Sequence, residues 1–129
     1  MKAQADSPVL EMLKALADQS PLRIVSLIWE GGGLCGCEIE RVLGIKQSNA
    51  SRHMRRLREG GVVESYKKAQ WHHYRIAENH RTKSGMLASI LESARNQDQL
   101  LQEDLKRLQD YRSRGFTCAT IHEWVPFDV

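Results

Sequence analysis

Residues 35–59 read CGCEIERVLGIKQSNASRHMRRLRE, and this stretch decides the fold. In its first part Ile39, Val42 and Leu43 share one apolar side, and Gly44 is a helix stop. After the turn Ile45-Lys46, Ala50, Met54 and Leu57 recur at helical spacing and predict one buried stripe. Two short helices joined by a tight glycine-containing turn form a helix-turn-helix. Ser48, Asn49, Ser51, Arg52, Arg55 and Arg56 cover the outer sides of the second helix. Small polar residues at the start with arginines behind suit a recognition helix that enters the major groove by its N-terminal end.

Upstream, Ser7-Pro8 predicts a helix start, with Val9, Leu10, Leu13 and Leu16 as its apolar stripe and Asp18-Gln19 as its end. Ser20-Pro21 repeats the start signal. Leu22, Ile24, Val25, Leu27 and Ile28 make the next helix almost wholly apolar, so it belongs at the centre of the core, and Gly31-Gly32-Gly33 stops it. The short helix of the opening stretch then spans roughly 35–43, and the recognition helix about 47–59.

Downstream, 62–67 and 71–76 are rich in β-branched and aromatic residues, and Lys68-Ala69-Gln70 separates them, which predicts a hairpin. Lys67 and Lys68 make its tip basic, as a wing on a DNA backbone would be. From Ser84 to about Arg112 a single long helix is expected. Leu87, Leu91, Ala94, Asp98, Leu101, Leu105 and Leu108 alternate in steps of four and three, a heptad seam with Asp98 as its one polar break. Such a seam predicts pairing with the same helix of a second subunit through Leu87, Leu91, Leu101, Leu105 and Leu108. The expected fold is mainly α with a small β-hairpin, a winged helix-turn-helix dimeric through its terminal helices. Residues 1–112 form the DNA-binding and dimerisation domain. The tail, 113–129, holds Phe116, Ile121, Trp124, Val125 and Phe127 and is expected to pack on the body.

The chain has 129 residues, 41% hydrophobic and 27% charged, within the range of one soluble domain. Net charge is +3, but residues 46–75 carry eight cations against two anions, a local +6 that leaves −3 for the rest. A basic middle between acidic ends points to a nucleic-acid face. No long apolar run or signal-peptide pattern is present, so a cytoplasmic protein without a membrane partner is expected.

The three cysteines are Cys35, Cys37 and Cys118. A reducing compartment would hold them as thiols, and a thiolate pair binds soft metal ions and metalloids. In a helix, side chains two residues apart point about 200° away from each other, whereas in an extended segment they share a side. Capture of one ion by both Cys35 and Cys37 is therefore expected to unwind the first turn of the helix. Gly36 between them lowers that cost, since glycine is poor in helices by about 1 kcal/mol.

These runs resemble the ArsR/SmtB family of bacterial metal-responsive repressors, and within it the arsenic-sensing type. The resemblance is carried by Leu16-Ala17-Asp18, Pro21-Leu22-Arg23-Ile24, Gly33 to Ile39, Gln47 to Met54, Leu57 to Val63 and Trp71 to Ile76. It implies a winged-helix homodimer on double-stranded operator DNA of imperfectly palindromic sequence, released by As(III) or Sb(III) and needing no organic cofactor. By position Gln47, Ser48, Asn49, Ser51 and Arg52 match DNA-contacting residues, and Cys35 and Cys37 match arsenite ligands. Arg55, Lys67 and Lys68 extend the basic face. Where several family members carry a third cysteine one turn after the pair, this chain has Glu40. Trivalent arsenic favours three thiolates, so Cys118, from the same or the other subunit, is the expected third ligand, with a solvent oxygen as the alternative. Residues 84–112 contain no histidine, which disfavours the family's zinc site on the dimer helix.

Several rivals share these residues. Cys118 and His122 have a helical spacing that can bind zinc. Cys35 and Cys37 can instead serve a redox switch, or take cadmium, lead or zinc. His72 and His73 fall on opposite faces of a regular strand, as wing surface and packing, and His53 packs or touches phosphate. An enzyme is not expected: the Cys-x-x-Cys of a thiol oxidoreductase is missing, and no nucleophile triad or phosphate loop stands out. A purely structural coiled coil would not need the arginine-studded helix.

Overall fold

Asp18, Gly32 and Gly44 punctuate the first half of the chain, and the helices follow that punctuation. The computed structural model describes residues 7–126. Helix α1, Pro8–Leu16, is capped by Ser7, whose side chain accepts from the Leu10 N–H. Helix α2, Gln19–Gly31, starts at Asp18, whose carboxylate accepts from the Gln19 N–H at 2.8 Å. It thus begins ahead of the expected Ser20-Pro21 start, because a carboxylate further upstream satisfies the open N–H groups. Gly32 ends it in the left-handed conformation, φ 77°.

A two-residue strand follows, β1, Leu34–Cys35, and only then α3, Gly36–Leu43. Cys35 is therefore extended backbone at the helix cap, where the residue pattern places it inside the helix. Pairing of β1 with a later strand draws this segment out of the helix. Helix α4, Gln47–Glu59, has the expected limits and buries Ala50, Met54 and Leu57 together with His53. Strands β2, Val63–Lys68, and β3, Trp71–Ile76, form the hairpin around Ala69-Gln70, with Ala69 at φ 55°. The antiparallel sheet has the order β1-β3-β2 and sets Cys35 opposite His73.

The expected long helix is two helices, α5, Met86–Gln97, and α6, Gln99–Ser113. Asp98 between them is extended, and its carboxylate accepts from the Leu100 N–H at 2.9 Å. The polar break in the heptad is a helix cap, because a side chain that can satisfy a new helix start competes with continuation.

Within the protomer the leucine seam is already largely covered. Leu87, Leu91, Leu101 and Leu108 are 0–3% exposed inside the protomer, where α5 and α6 pack on α2, and Leu105 is half-buried. A four-three spacing describes one helical face and does not say which neighbour covers it. On α1 the opposite correction applies. Met12, Ala15 and Leu16 enter the core, while Val9, Leu10 and Leu13 are 43%, 41% and 45% exposed. The core is centred on α2, whose Ile24, Val25, Leu27 and Ile28 are fully buried.

The tail folds back over α3 and α6. Trp124 is fully buried, meets Tyr111 edge-on at 5.5 Å, and donates from Nε1 to Asp110 Oδ2 at 2.9 Å. Its carbonyl accepts from Arg41 of α3, also at 2.9 Å. Phe127 lies outside the described residues. Among those described, no helix is long and apolar enough to cross a membrane.

Candidate metal centre and nucleic-acid face

Sulfur chemistry converges where β1 ends, α3 begins and the tail returns. Cys35 is buried at the end of β1. The Cys118 thiol, half-buried in the tail, donates to Cys35 Sγ at 2.7 Å and lies 3.4 Å from Glu38 Oε1. Glu38 is at the third position of α3, where Oε1 accepts the Cys35 N–H at 2.9 Å, half of a capping box. Its Oε2 accepts the Tyr111 hydroxyl at 2.7 Å. His73, buried on β3, points Nε2 at Cys118 Sγ from 3.7 Å. Donor atoms of Cys35, Glu38 and Cys118 all lie within 4.8 Å of one another.

Burial above all raises the Cys35 thiol above its ordinary range, with the Cys118 hydrogen bond adding to it. Burial also raises Cys118, against the hydrogen bond with Cys35, which lowers it, and the neighbouring Glu38 carboxylate adds to the rise. Tyr111 is raised by burial and by its bond to Glu38. The pocket therefore holds neutral thiols, and a ligand must displace their protons.

Of the three expected sulfur ligands, the structure brings Cys35 and Cys118 together and leaves Cys37 out. Cys37 is exposed on the first turn of α3 and lines an open groove of about 660 Å³ with Glu40, Ile121 and His122. An extended Cys35 next to a helical Cys37 separates the two side chains. Because Cys35 is already extended, it needs no helix unwinding to bind an ion, and only Cys37 would require it. Cys118 and His122 do not share an α-helix, since the segment there is turn and one 3₁₀ turn, so the helical zinc spacing is not formed.

Sequence reasoning misses Glu38, His73 and Tyr111 as members of this cluster. For Glu38 the signal is local, a carboxylate three residues after a helix cap. His73 reads as wing surface or packing, and only the strand register discloses its place. Nothing local marks Tyr111.

The face expected to meet nucleic acid is the outer side of α4 with the hairpin tip. Gln47, Ser48, Asn49, Ser51, Arg52, Arg55, Lys67 and Lys68 are all exposed there. No side chain caps the start of α4, so its first N–H groups point outward, a ready anion site in a basic setting. At the base of the wing, Arg75 is partly occupied within the fold: it bonds Glu64 at 2.8 Å and stacks 4.7 Å from the Tyr66 ring centre.

Over residues 18–65 the sequence matches the family described as bacterial regulatory protein, arsR family. It is 40% identical over 65 residues to the arsenic resistance transcriptional regulator ArsR1 of Pseudomonas putida, covering 50% of this chain and 51% of that protein. Over 68 residues it is 40% identical to the arsenical resistance operon repressor of Escherichia coli, covering 53% of this chain and 58% of the relative. The chain thus spans a little over half the length of these two relatives. An HTH-type transcriptional regulator of Methanocaldococcus jannaschii is 33% identical over 69 residues, 54% of this chain and 78% of its own length. The fold is similar to the homodimeric winged helix-turn-helix DNA-binding domain Mb0332 of Mycobacterium bovis, with TM-score 0.58, 26% identity, and coverage of 74% of this chain and 93% of that one.

Proposed function

The chain belongs to the arsR family of bacterial regulatory proteins, and from that premise we propose a homodimeric transcriptional repressor that leaves its operator when trivalent arsenic or antimony binds its thiols. The observation that carries this reading is the contact of Cys35 with Cys118 at the start of α3, a helix packed against the recognition helix α4. Thiols held neutral by burial suit this ligand. Arsenous acid exchanges three hydroxyl groups for three sulfurs, and the three thiol protons leave as water with those hydroxyls. The product is neutral, so a desolvated pocket does not oppose it.

Cys35 and Cys118 supply two sulfurs in place. Cys37 supplies the third when the first turn of α3 opens, which breaks the bond from the Cys35 N–H to Glu38. That movement tilts α3 against α4. Two recognition helices must fit two half-sites about one DNA turn apart, so a small tilt in each protomer lowers affinity for both. A coupling of a few kcal/mol is sufficient to clear an operator. The exposed Val9, Leu10 and Leu13 of α1 are the apolar surface for the second copy, and the homodimeric relative supports a two-fold assembly. A two-fold repressor implies an imperfectly palindromic operator.

The test is operator binding by the reduced full chain with and without arsenite. Cys35→Ser and Cys118→Ser are expected to bind DNA as the parent does and to stay bound when arsenite is added. Release of Cys118→Ser by arsenite at the parental concentration overturns the reading.

A further inference from the structure

Cys118 lies in a turn, where nothing local fixes a side chain, yet its sulfur stands 2.7 Å from Cys35. The tail is held on both sides of that turn. Gly115, at φ 80°, reverses the chain after α6, and the Phe116 ring stacks on Tyr111 at 6.2 Å. Beyond the turn Trp124 is fully buried, edge-on to the same tyrosine. Its indole donates to Asp110 of α6 and its carbonyl accepts from Arg41 of α3, at 2.9 Å each. Arg41 also reaches the His122 carbonyl, at 3.4 Å. We propose that Arg41 and Trp124 are positioning residues of the sensor: they clamp the tail so that Cys118 is presented to Cys35, and so set the affinity for a thiol-binding metalloid that neither residue touches. The ligand is that of the arsenic reading, on which this inference rests.

Holding and binding are separate in the geometry. The turn is closed on itself: the Thr120 N–H donates to the Thr117 carbonyl at 3.0 Å, and the Thr117 N–H to Thr120 Oγ1 at 2.9 Å. It therefore moves as a unit, and its place depends on the anchors at either end. The upstream anchor is the weaker, since Phe116 is half-buried while Ile121 and Trp124 downstream are buried. Arg41 links the downstream anchor to α3 through charge-assisted bonds, which are among the stronger kind. It stands one turn after Cys37, so the tail is tied to the same helix whose first turn opens in the arsenic reading. With the clamp released, Cys118 samples many positions. The site is then competent only while the tail is seated, and apparent affinity falls by the seated fraction.

The test uses the reduced full chain and two readouts. Titration gives arsenite affinity. Dibromobimane, which bridges two neighbouring thiols, reports the contact of Cys35 with Cys118 without arsenic, and peptide mass spectrometry identifies the bridged pair. Arg41→Ala is expected to weaken arsenite binding by about tenfold, as a seated fraction of about one tenth would, and to lower the bridge yield with it. Trp124→Phe keeps a ring in the core and removes the bond to Asp110, so it should do the same to a smaller degree. Arg41→Lys returns a donor and a charge and should recover part of both readouts, which a merely structural loss would not. Melting of the arsenic-free variants establishes that they are folded. Operator affinity without arsenite is expected to stay at the parental value. Either parental arsenite affinity or a parental bridge yield in Arg41→Ala overturns the proposal, with Trp124→Phe deciding should the first variant not fold. Arsenite that fails to bind the parent removes the arsenic reading instead, and the bridge yields still decide whether the clamp holds Cys118.

Discussion

The Cys35 and Cys118 sulfurs lie 2.7 Å apart although 83 residues separate them. A strand pairing places one and a tail anchored by Trp124 places the other, so the pair exists only in the folded chain. Cys37, two residues from Cys35, is exposed instead.

That contrast predicts the order of thiol modification. With iodoacetamide at neutral pH, Cys37 is expected to react first, Cys118 later and Cys35 last. Burial raises the thiols of Cys35 and Cys118, so their reaction should accelerate as the pH is raised further above neutral. Peptide mass spectrometry over time gives the order, and Cys35 labelling as fast as Cys37 contradicts the buried placement.

On the DNA side, Arg52→Ala is expected to weaken operator binding by about 1–3 kcal/mol, because its guanidinium no longer reaches a base edge or a phosphate. Replacing Lys67 and Lys68 with Ala should weaken all sequences alike and lower the slope of log affinity against log salt by about 0.9 for each phosphate no longer neutralised. Binding measured across salt on operator and unrelated DNA separates these effects. Equal loss of sequence discrimination would refute the wing assignment.

The dimer should depend on α1. Leu13 is 45% exposed in the protomer, so Leu13→Asp is expected to leave the fold intact and produce monomers. Leu101 is fully buried, so Leu101→Asp should unfold the chain instead. Sedimentation and circular dichroism together distinguish dissociation from unfolding. A dimer that survives Leu13→Asp places the interface elsewhere.

A buried ion pair joins α6 to α2. Asp104, fully buried, accepts from Arg23 Nε and Nη2 at 2.9 Å each, and Arg23 also donates to the Leu43 carbonyl. Burial nevertheless raises the Asp104 carboxyl, with Arg23 opposing the shift, so desolvation outweighs attraction. Asp104→Ala is expected to cost about 3–5 kcal/mol, because it leaves the guanidinium unpaired. Denaturant melts should show Asp104→Leu with Arg23→Met recovering much of that stability.

His53 adds a pH dependence. Burial lowers its pKa from the usual 6.5, and Arg52 and Arg56 lower it further against Asp18. The unfolded chain thus takes up this proton at a higher pH than the folded one. The stability from neutral His53 is complete above about pH 6.5 and is lost as pH falls from there through the lower folded value. Melts at about pH 7.5 and about pH 5.5 should show the drop, and His53→Gln should reduce it.

The limits of α4 and β3 were legible in the residues, with β2 one position later than expected, because glycine stops, apolar spacing and β-branched runs act within a few positions. Asp98 also carried a local signal, since an aspartate that breaks a heptad can equally cap a new helix. The partner of Leu87 to Leu108 was not legible. Helical spacing specifies a face, and the same face can meet α2 or a second subunit. On α1 the expected stripe was Val9, Leu10, Leu13 and Leu16, of which only Leu16 is buried, and Met12 and Ala15 join it because of what packs against the helix.

Local chemistry therefore settled by itself the helix-turn-helix, the wing, the basic face and the presence of sulfur at the entry to α3. Tertiary structure alone decided which sulfur meets which, that His73 and Glu38 join them, and which leucines lie inside. Hydrogen-bonding and apolar preferences operate over one or two turns of chain. Strand register and the return of the tail instead depend on the free energy of packing the whole core, which no short stretch contains.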